Sequence, residues 1–153
     1  MPNLETRIPP PVVAVIIALG IWGSSFLSGR LSVLGPARLV LAGLFVVFAG
    51  LLAFQAIRAL RRAGTTIDPV HIDRTTKVVT SGVYRHSRNP MYVALASLLF
   101  ALAAALDVPL GFLGPLFFIT YMKRYQIRPE EKALEARFGA PYLAYKKRVR
   151  RWL

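Results

Sequence analysis

The chain contains no cysteine. That excludes disulfide scaffolds, thiolate catalysis, iron–sulfur clusters and cysteine-based zinc sites. Histidine is almost as scarce. His71 and His86 stand apart, neither with a partner at metal-ligand spacing, so no metal is expected. Acidic residues number only 7 against 20 Lys and Arg, a formal net charge of +13 over 153 residues. Charged residues of both signs are still only 18% of the chain, below the roughly 25% of an ordinary soluble domain. There is no Walker A loop, no GxGxxG and no GxSxG, which removes the common soluble nucleotide-binding and hydrolase machinery. What the chain has instead is apolar residues, 55% of the total. That much hydrophobicity excludes disorder. A nucleic-acid-binding domain would be basic but poorer in apolar residues, so no nucleic-acid partner is expected. A chain both basic and apolar fits a membrane protein, provided the two kinds of residue are segregated.

They are. Ile8–Gly29, Leu39–Ile57, Asn89–Leu106 and Val108–Met122 carry no charge. About 20 apolar residues cross a hydrocarbon core, with roughly 17 as the lower limit. The first three runs meet it, and the fourth does so by borrowing the stems of Lys123 and Arg124, which can snorkel to the interface. The expected fold is all-α: a polytopic membrane protein with four transmembrane helices, near 10–28, 37–57, 90–106 and 108–125, forming one domain over 1–153. Asp107-Val108-Pro109 reads as a tight turn, which makes the last two spans an antiparallel hairpin. Gly111 and Gly114 in the fourth run allow a neighbouring helix to come close. The first run is long for a signal peptide, and only Arg7 and Glu5 precede it as charges, so it reads as a span.

Charge fixes the expected orientation. Residues 58–89 hold 7 basic residues and 123–153 hold 10, so with Arg7 these segments carry 18 of the 20. By the positive-inside rule the N-terminus, the 58–89 connector and the 126–153 tail face the cytoplasm, in what reads as a bacterial inner membrane. Polar chemistry belongs at that face.

In the connector, Gly64-Thr65-Thr66 and Asp68-Pro69 read as loop and turn. Lys77–Thr80 reads as briefly β-like, and Ser81-Gly82 as a second turn. In the tail, Pro129 sits at the first position of a helix that Gly139 ends, and Pro141 opens another. Tyr142, Tyr145, Val149 and Trp152 interleave there with Lys146, Lys147, Arg148, Arg150 and Arg151. This reads as an amphipathic tail gripping an anionic leaflet, a reading favoured over a catalytic role for those cations. Glu130 and Glu131 admit two readings: acids complementing the dipole of a first helical turn, or ligand-binding groups in a basic zone. Arg88 and Asn89-Pro90 mark the mouth of the third span. Tyr84, Tyr92, Tyr121 and Tyr125 suit an interfacial aromatic belt.

The order of these segments carries more than their periodicity. Thr80-Ser81-Gly82-Val83-Tyr84 comes first, then Arg88-Asn89-Pro90-Met91-Tyr92, then a hairpin. Arg128-Pro129-Glu130-Glu131, Phe138-Gly139 and Tyr142–Val149 follow. This series, over about residues 62–151, resembles the isoprenylcysteine carboxyl methyltransferase family and, more loosely, the phospholipid methyltransferases of the same superfamily. The resemblance implies an integral-membrane methyltransferase that uses S-adenosylmethionine and releases S-adenosylhomocysteine at the cytoplasmic face. Carried over position by position, it implies that Thr80, Gly82, Tyr84, Arg88, Asn89, Pro90, Tyr92, Arg128, Glu130 and Glu131 line the cofactor site. Of these, Arg88, Asn89 and Glu131 are the candidates for catalysis. Many members of the family have His where this chain has Asn89, and an amide cannot titrate near neutrality. A carboxylate acceptor, already ionised, needs no base, so a lipophilic carboxylate, small or lipidated, is the favoured acceptor. Phospholipid or amine N-methylation is the alternative. An NADPH-dependent membrane reductase with a similar RxPxY-like cap and a non-enzymatic membrane subunit are the rivals outside this chemistry. Membrane lipids are the expected partners, and the sequence leaves the oligomeric state open.

Overall fold

Proline sets where most of the helices begin. Its missing N–H is no loss in a first turn, where that donor has no intrahelical partner. Pro10 opens α1 (Pro10–Leu27), Pro36 precedes α2 (Ala37–Ala63) and Pro90 opens α3 (Pro90–Leu106). Pro129 and Pro141 lie in the first turns of α5 (Arg128–Phe138) and α6 (Ala140–Arg148). Between them lie α4 (Leu113–Tyr121), two 3-10 turns (Gly82–Arg85 and Pro109–Phe112) and a π-helical segment (Met122–Ile127). This computed structural model describes residues 8–27, 33–64 and 77–153. The turn expected at Asp68-Pro69, and His71, lie outside the described residues. There is no strand among the described residues, so Lys77–Thr80 is extended at most, without the sheet partner a strand needs.

Among the described residues α1 and α2 are long and apolar enough to cross a membrane; α3 is apolar and has 17 residues. Val15, Ile16 and Leu19 on α1 and Val47, Leu51 and Phe54 on α2 are exposed, a surface that suits lipid rather than water. The helix expected over 37–57 runs on to Ala63, where Gly64 ends it in the left-handed conformation (φ 65°). At 27 residues α2 is about 40 Å long, more than the hydrocarbon thickness of roughly 30 Å. Charge ends a membrane span but not a helix. Arg61 and Arg62 in the last turn favour the helix by complementing its dipole. The helix therefore continues through Arg58, Arg61 and Arg62 to its end at Gly64.

The second difference is at the other end of the chain. The fourth expected span is not one helix: it divides into the 3-10 turn, α4 and the π segment. Nor does the chain break before Pro129, since α4, the π segment and α5 follow one another without a gap from Leu113 to Phe138. A proline inside an α-helix collides with the carbonyl four residues back. Widening the preceding turn into a π segment accommodates such an irregularity without ending the helix. The consequence is positional: one continuous helical run carries Gln126, Glu130 and Glu131.

α3 is the centre of the bundle and touches α1, α2 and α4. One face, through Val93 and Ala94, meets Ala49, Leu52 and Ala56 of α2. The other, through Tyr92, Ala96, Leu99 and Ala103, meets Val13, Ile17 and Ile21 of α1 and Phe118, Met122 and Ile127. Lipid is as apolar as leucine, so such helices are held by close packing, and small residues permit it. Gly114 shows how close: a Cβ there would lie 2.7 Å from the Ile21 side chain of α1. At the end of α3 the expected turn is present. Asp107 is buried in the left-handed region (φ 52°). Its Oδ1 accepts the Val33 and Leu34 N–H groups (3.1 and 2.9 Å), and its Oδ2 accepts that of Gly35 (3.1 Å). The turn after α3 is thereby tied to the loop before α2.

Replacing Asp107 with Asn keeps a residue that tolerates this backbone but retains only one acceptor oxygen. We expect Asp107→Asn to destabilise the protein by about 2 kcal/mol, and Asp107→Ala by more. Thermal unfolding in detergent checks both, and an unchanged midpoint would remove this carboxylate from the forces that hold the bundle.

Candidate functional site

At the opposite end of α3 the chain builds a polar cluster. Gly82, at φ 60°, starts the 3-10 turn, which carries Val83 and Tyr84 inward while Thr80, Ser81 and Gly82 stay exposed. Ser87 is fully buried, and its Oγ accepts the Asn89 N–H at 3.1 Å. These bonds hold Arg88 and Asn89 directly before the first turn of α3. α5 approaches from the π segment with two adjacent carboxylates, and α6 returns beneath them. Tyr145 of α6 is buried and donates its hydroxyl to the Tyr84 carbonyl at 2.7 Å.

The two glutamates have different surroundings. Glu131 is buried, with 5% of its surface exposed. Arg151 grips it with a two-pronged contact, Nε to Oε1 at 3.0 Å and Nη2 to Oε2 at 2.7 Å. Arg88 Nη1 lies 3.0 Å from Oε1, and Lys146 Nζ lies 3.8 Å from Oε2. Burial alone would raise its pKa, but the Arg151 hydrogen bonds and the Arg88, Arg151 and Lys146 charges together hold it below the ordinary carboxylate value. Glu131 is thus a fixed anion. Glu130 is half-buried. Its Oε1 accepts both the Tyr92 hydroxyl (2.5 Å) and the Gln126 Nε2 (2.7 Å). Desolvation pushes its pKa up to about 7; those two bonds oppose the shift and the Glu131 charge adds to it. Glu130 therefore changes charge near neutrality.

Arg88 is the third element. Its side chain is only 9% exposed. Among the described residues its Nε and Nη1 have no hydrogen-bond acceptor; Nη1 is close to Glu131 but not aligned with it. Buried donors without acceptors are costly, roughly 1–3 kcal/mol each, and they mark places where an acceptor belongs. An anionic group fits there. The buried Tyr84, Tyr92, Tyr142 and Tyr145 surround this cluster. The Tyr142 phenol is pushed up to about 12 by burial and by the Glu131 charge, so it remains a neutral donor.

Of the residues the sequence singles out, Tyr84, Arg88, Asn89, Pro90, Tyr92, Glu130 and Glu131 come together here. Thr80 and Gly82 sit on the exposed approach, and Arg128 is exposed on α5, where no ion pair links it to the acids. The cations that join Arg88 beside Glu131 are Arg151 and Lys146, residues that the sequence assigns to the leaflet grip. Gln126 and Ser87 are the other polar members it does not single out. α6 ends at Arg148, and Tyr142 and Tyr145 are buried rather than turned to a leaflet. Their spacing of three places both on one helical face, and that was the available signal of burial. No group of His, Asp or Glu suited to a metal occurs among the described residues.

A family model described as phospholipid methyltransferase matches residues 37–141. A Haemophilus influenzae protein described as uncharacterized is 43% identical over 63 residues, which is 41% of this chain and 100% of the relative. No solved structure matches.

The raised pKa of Glu130 has a stability consequence. The folded state holds the Glu130 proton more tightly than the unfolded chain, so this group's contribution to stability is full below about pH 4.5 and declines as pH rises to about 7. The decline should reach at most roughly 3 kcal/mol. It should be absent in Glu130→Gln, as read from thermal midpoints across that window; a decline of the same size in the variant would assign it to another group.

Proposed function

The chain belongs to the phospholipid methyltransferase family, which makes it a membrane methyltransferase, and from that premise we propose that it moves a methyl group from S-adenosylmethionine to a lipophilic acceptor at the cytoplasmic membrane face. The observation that carries the cofactor reading is the pairing of Arg88, buried with unsatisfied donors, with Glu131, a buried fixed anion. S-adenosylmethionine carries a carboxylate and an ammonium on one end, and this cluster offers a partner of each sign. The buried tyrosines give an aromatic wall, and Glu130 or Tyr92 a polar group for ribose hydroxyls. When bound, the cofactor supplies an electrophilic methyl on a sulfonium. The protein's part is to align and to exclude water, and alignment alone lowers the barrier of a displacement substantially. Glu131 and Arg88 do this from α5 and from the mouth of α3. Spans beyond α1 and α2, and the cytoplasmic placement of both termini, belong to this proposal, with the 18 basic residues of the N-terminus, connector and tail as their support.

The acceptor follows from the second glutamate. The sequence favours a carboxylate acceptor because Asn89 cannot act as a base. Glu130 removes that reason. A carboxylate with a pKa of about 7, adjacent to the anion that holds the cofactor, is a suitable proton acceptor for an ammonium that must lose a proton before it is methylated. An amine on a lipid is therefore the acceptor class this site fits better, and a lipophilic carboxylate is its rival.

Titrating the detergent-solubilised protein should give binding of S-adenosylmethionine and S-adenosylhomocysteine and none of NADPH; binding of NADPH alone would point to the reductase, and binding of none to a non-catalytic subunit. Glu131→Gln should weaken cofactor binding by about tenfold, about 1.4 kcal/mol, with folding intact. For the acceptor, turnover on an amine lipid should rise as pH passes through about 7, since only ionised Glu130 takes a proton. The rise should vanish in Glu130→Gln. A carboxylate acceptor would give no such limb.

A further inference from the structure

The π segment carries a buried amide to which neither the sequence nor the family match gives a role. Gln126 is 2% exposed and shares its segment with the fully buried Met122 and Ile127. An amide in such apolar company is costly unless its hydrogen-bonding groups find partners. Its Nε2 donates to Glu130 Oε1 at 2.7 Å, and the Tyr92 hydroxyl donates to the same oxygen at 2.5 Å. Among the described residues no donor reaches the other oxygen, Oε2. An ionised carboxylate accepts equally well at both oxygens, so the asymmetry comes from the protein. Both donors belong to buried side chains, whereas Glu130 itself is half-buried. Oε1 is therefore the inward oxygen and Oε2 the outward one.

We propose that Gln126 is a positioning residue: with Tyr92 it anchors Glu130 by Oε1, so that Oε2 is the oxygen that receives the acceptor's proton. The proton step rests on the amine reading above; the anchoring does not. Oε2 takes one proton from the acceptor ammonium, and Glu130 becomes a neutral acid. The freed nitrogen lone pair forms the bond to the methyl carbon, the carbon–sulfur bond breaks with its electrons left on sulfur, and Glu130 returns its proton to water. A base must stay within hydrogen-bond reach of the proton it takes, and a small misplacement costs rate steeply. One hydrogen bond leaves a carboxylate free to swing about it. Two bonds on the same oxygen, one from α3 and one from the π segment, remove that freedom. Gln126 lies four residues before Glu130, a spacing that puts both on one helical face. The amide also favours the ionised form and so opposes desolvation. The other groups facing Glu130 are Tyr84, whose pKa burial raises so that it stays a neutral phenol, and Glu131, whose charge disfavours a second anion beside it. Neither donates to Glu130, so the anchoring falls to Gln126 and Tyr92.

The experiment uses the full chain in detergent, with two variants. Gln126→Met keeps the length of the side chain without its donor. Gln126→Asn keeps a buried amide on a stem too short for Oε1 and carries the test if Q126M does not fold. The infrared carbonyl band of the protonated carboxyl, assigned to Glu130 by its loss in Glu130→Gln, follows the titration without any ligand. Its midpoint, about 7 in the parent protein, should rise by about one pH unit in either variant, because each removes a bond to the ionised form. The pH limb of turnover on an amine lipid should move up by the same amount. Its plateau should fall by about tenfold, while S-adenosylhomocysteine binds as before, since the cations around Glu131 are untouched. A merely structural glutamine would move neither midpoint. An unchanged infrared midpoint would overturn the anchoring, and a shifted midpoint with the parental plateau would overturn the positioning. If the midpoint shifts but the parent protein turns over no amine lipid, the anchoring stands and the base reading falls.

Discussion

The buried charge on Glu131 is the interaction on which the lower half of the molecule depends. A carboxylate that deep is costly to desolvate and persists only with partners of good geometry. Its partners come from separate stretches of the chain: Arg88 before α3, Lys146 in α6 and Arg151 beyond α6. Satisfying one anion therefore ties α5, the mouth of α3 and the C-terminus to one another. With the tail drawn in, Tyr142 and Tyr145 become buried, and Tyr145 closes onto the Tyr84 carbonyl. Trp152 is then positioned against both apolar clusters. Remove the anion, and each of those contacts loses the element that brings it into place.

The upper end of the bundle uses the same device with a different donor set. Asp107 collects backbone N–H groups from the loop before α2, where Glu131 collects side-chain cations. Between these two carboxylates the helices meet through alanine, glycine and aliphatic side chains with little polar content. In lipid such surfaces gain from close packing but have no hydrophobic drive to exclude the solvent around them. Directional bonds at the two ends then fix which helix sits beside which. The contrast between the ends matters for function. Backbone donors hold Asp107 in one fixed arrangement. Guanidinium and ammonium groups on long side chains can exchange partners.

The helical architecture, the turn at Asp107 and the gathering of Tyr84, Arg88, Tyr92, Glu130 and Glu131 are all legible in the sequence. The first two rest on uncharged runs and turn residues, which are local properties, and the gathering is what the family resemblance implies. Three features are not legible, each for a physical reason. The end of α2 is masked because arginine ends a membrane span and favours a helix at the same time. The continuity through Pro129 is masked because proline marks a helix start equally well, and nothing in the residues announces the π segment that absorbs it. The role of Arg151 is masked because ten basic residues lie in the last 31, and composition does not say which of them turns inward. That choice is tertiary: beyond the extended backbone at Val149, Arg151 reaches Glu131 and Trp152 reaches the apolar clusters.

Adjacent residues on a helix point about 100° apart, so Glu130 and Glu131 necessarily face different neighbourhoods. One faces cations and stays ionised; the other faces a tyrosine hydroxyl and an amide, and titrates near neutrality. Two carboxylates with separated pKa values can hold separate roles, one to bind a cation and one to move a proton. Had both faced the cations, the site would bind charge but lack a base. Had both faced Tyr92 and Gln126, they would compete for one proton and leave Arg88 without its counter-ion. The π segment bears on this division. It sets the rotation of α5 relative to α4, and with it which glutamate meets Arg88 and which meets Tyr92. An irregular turn that costs some helical regularity thus sets one glutamate against cations and the other against a hydroxyl and an amide.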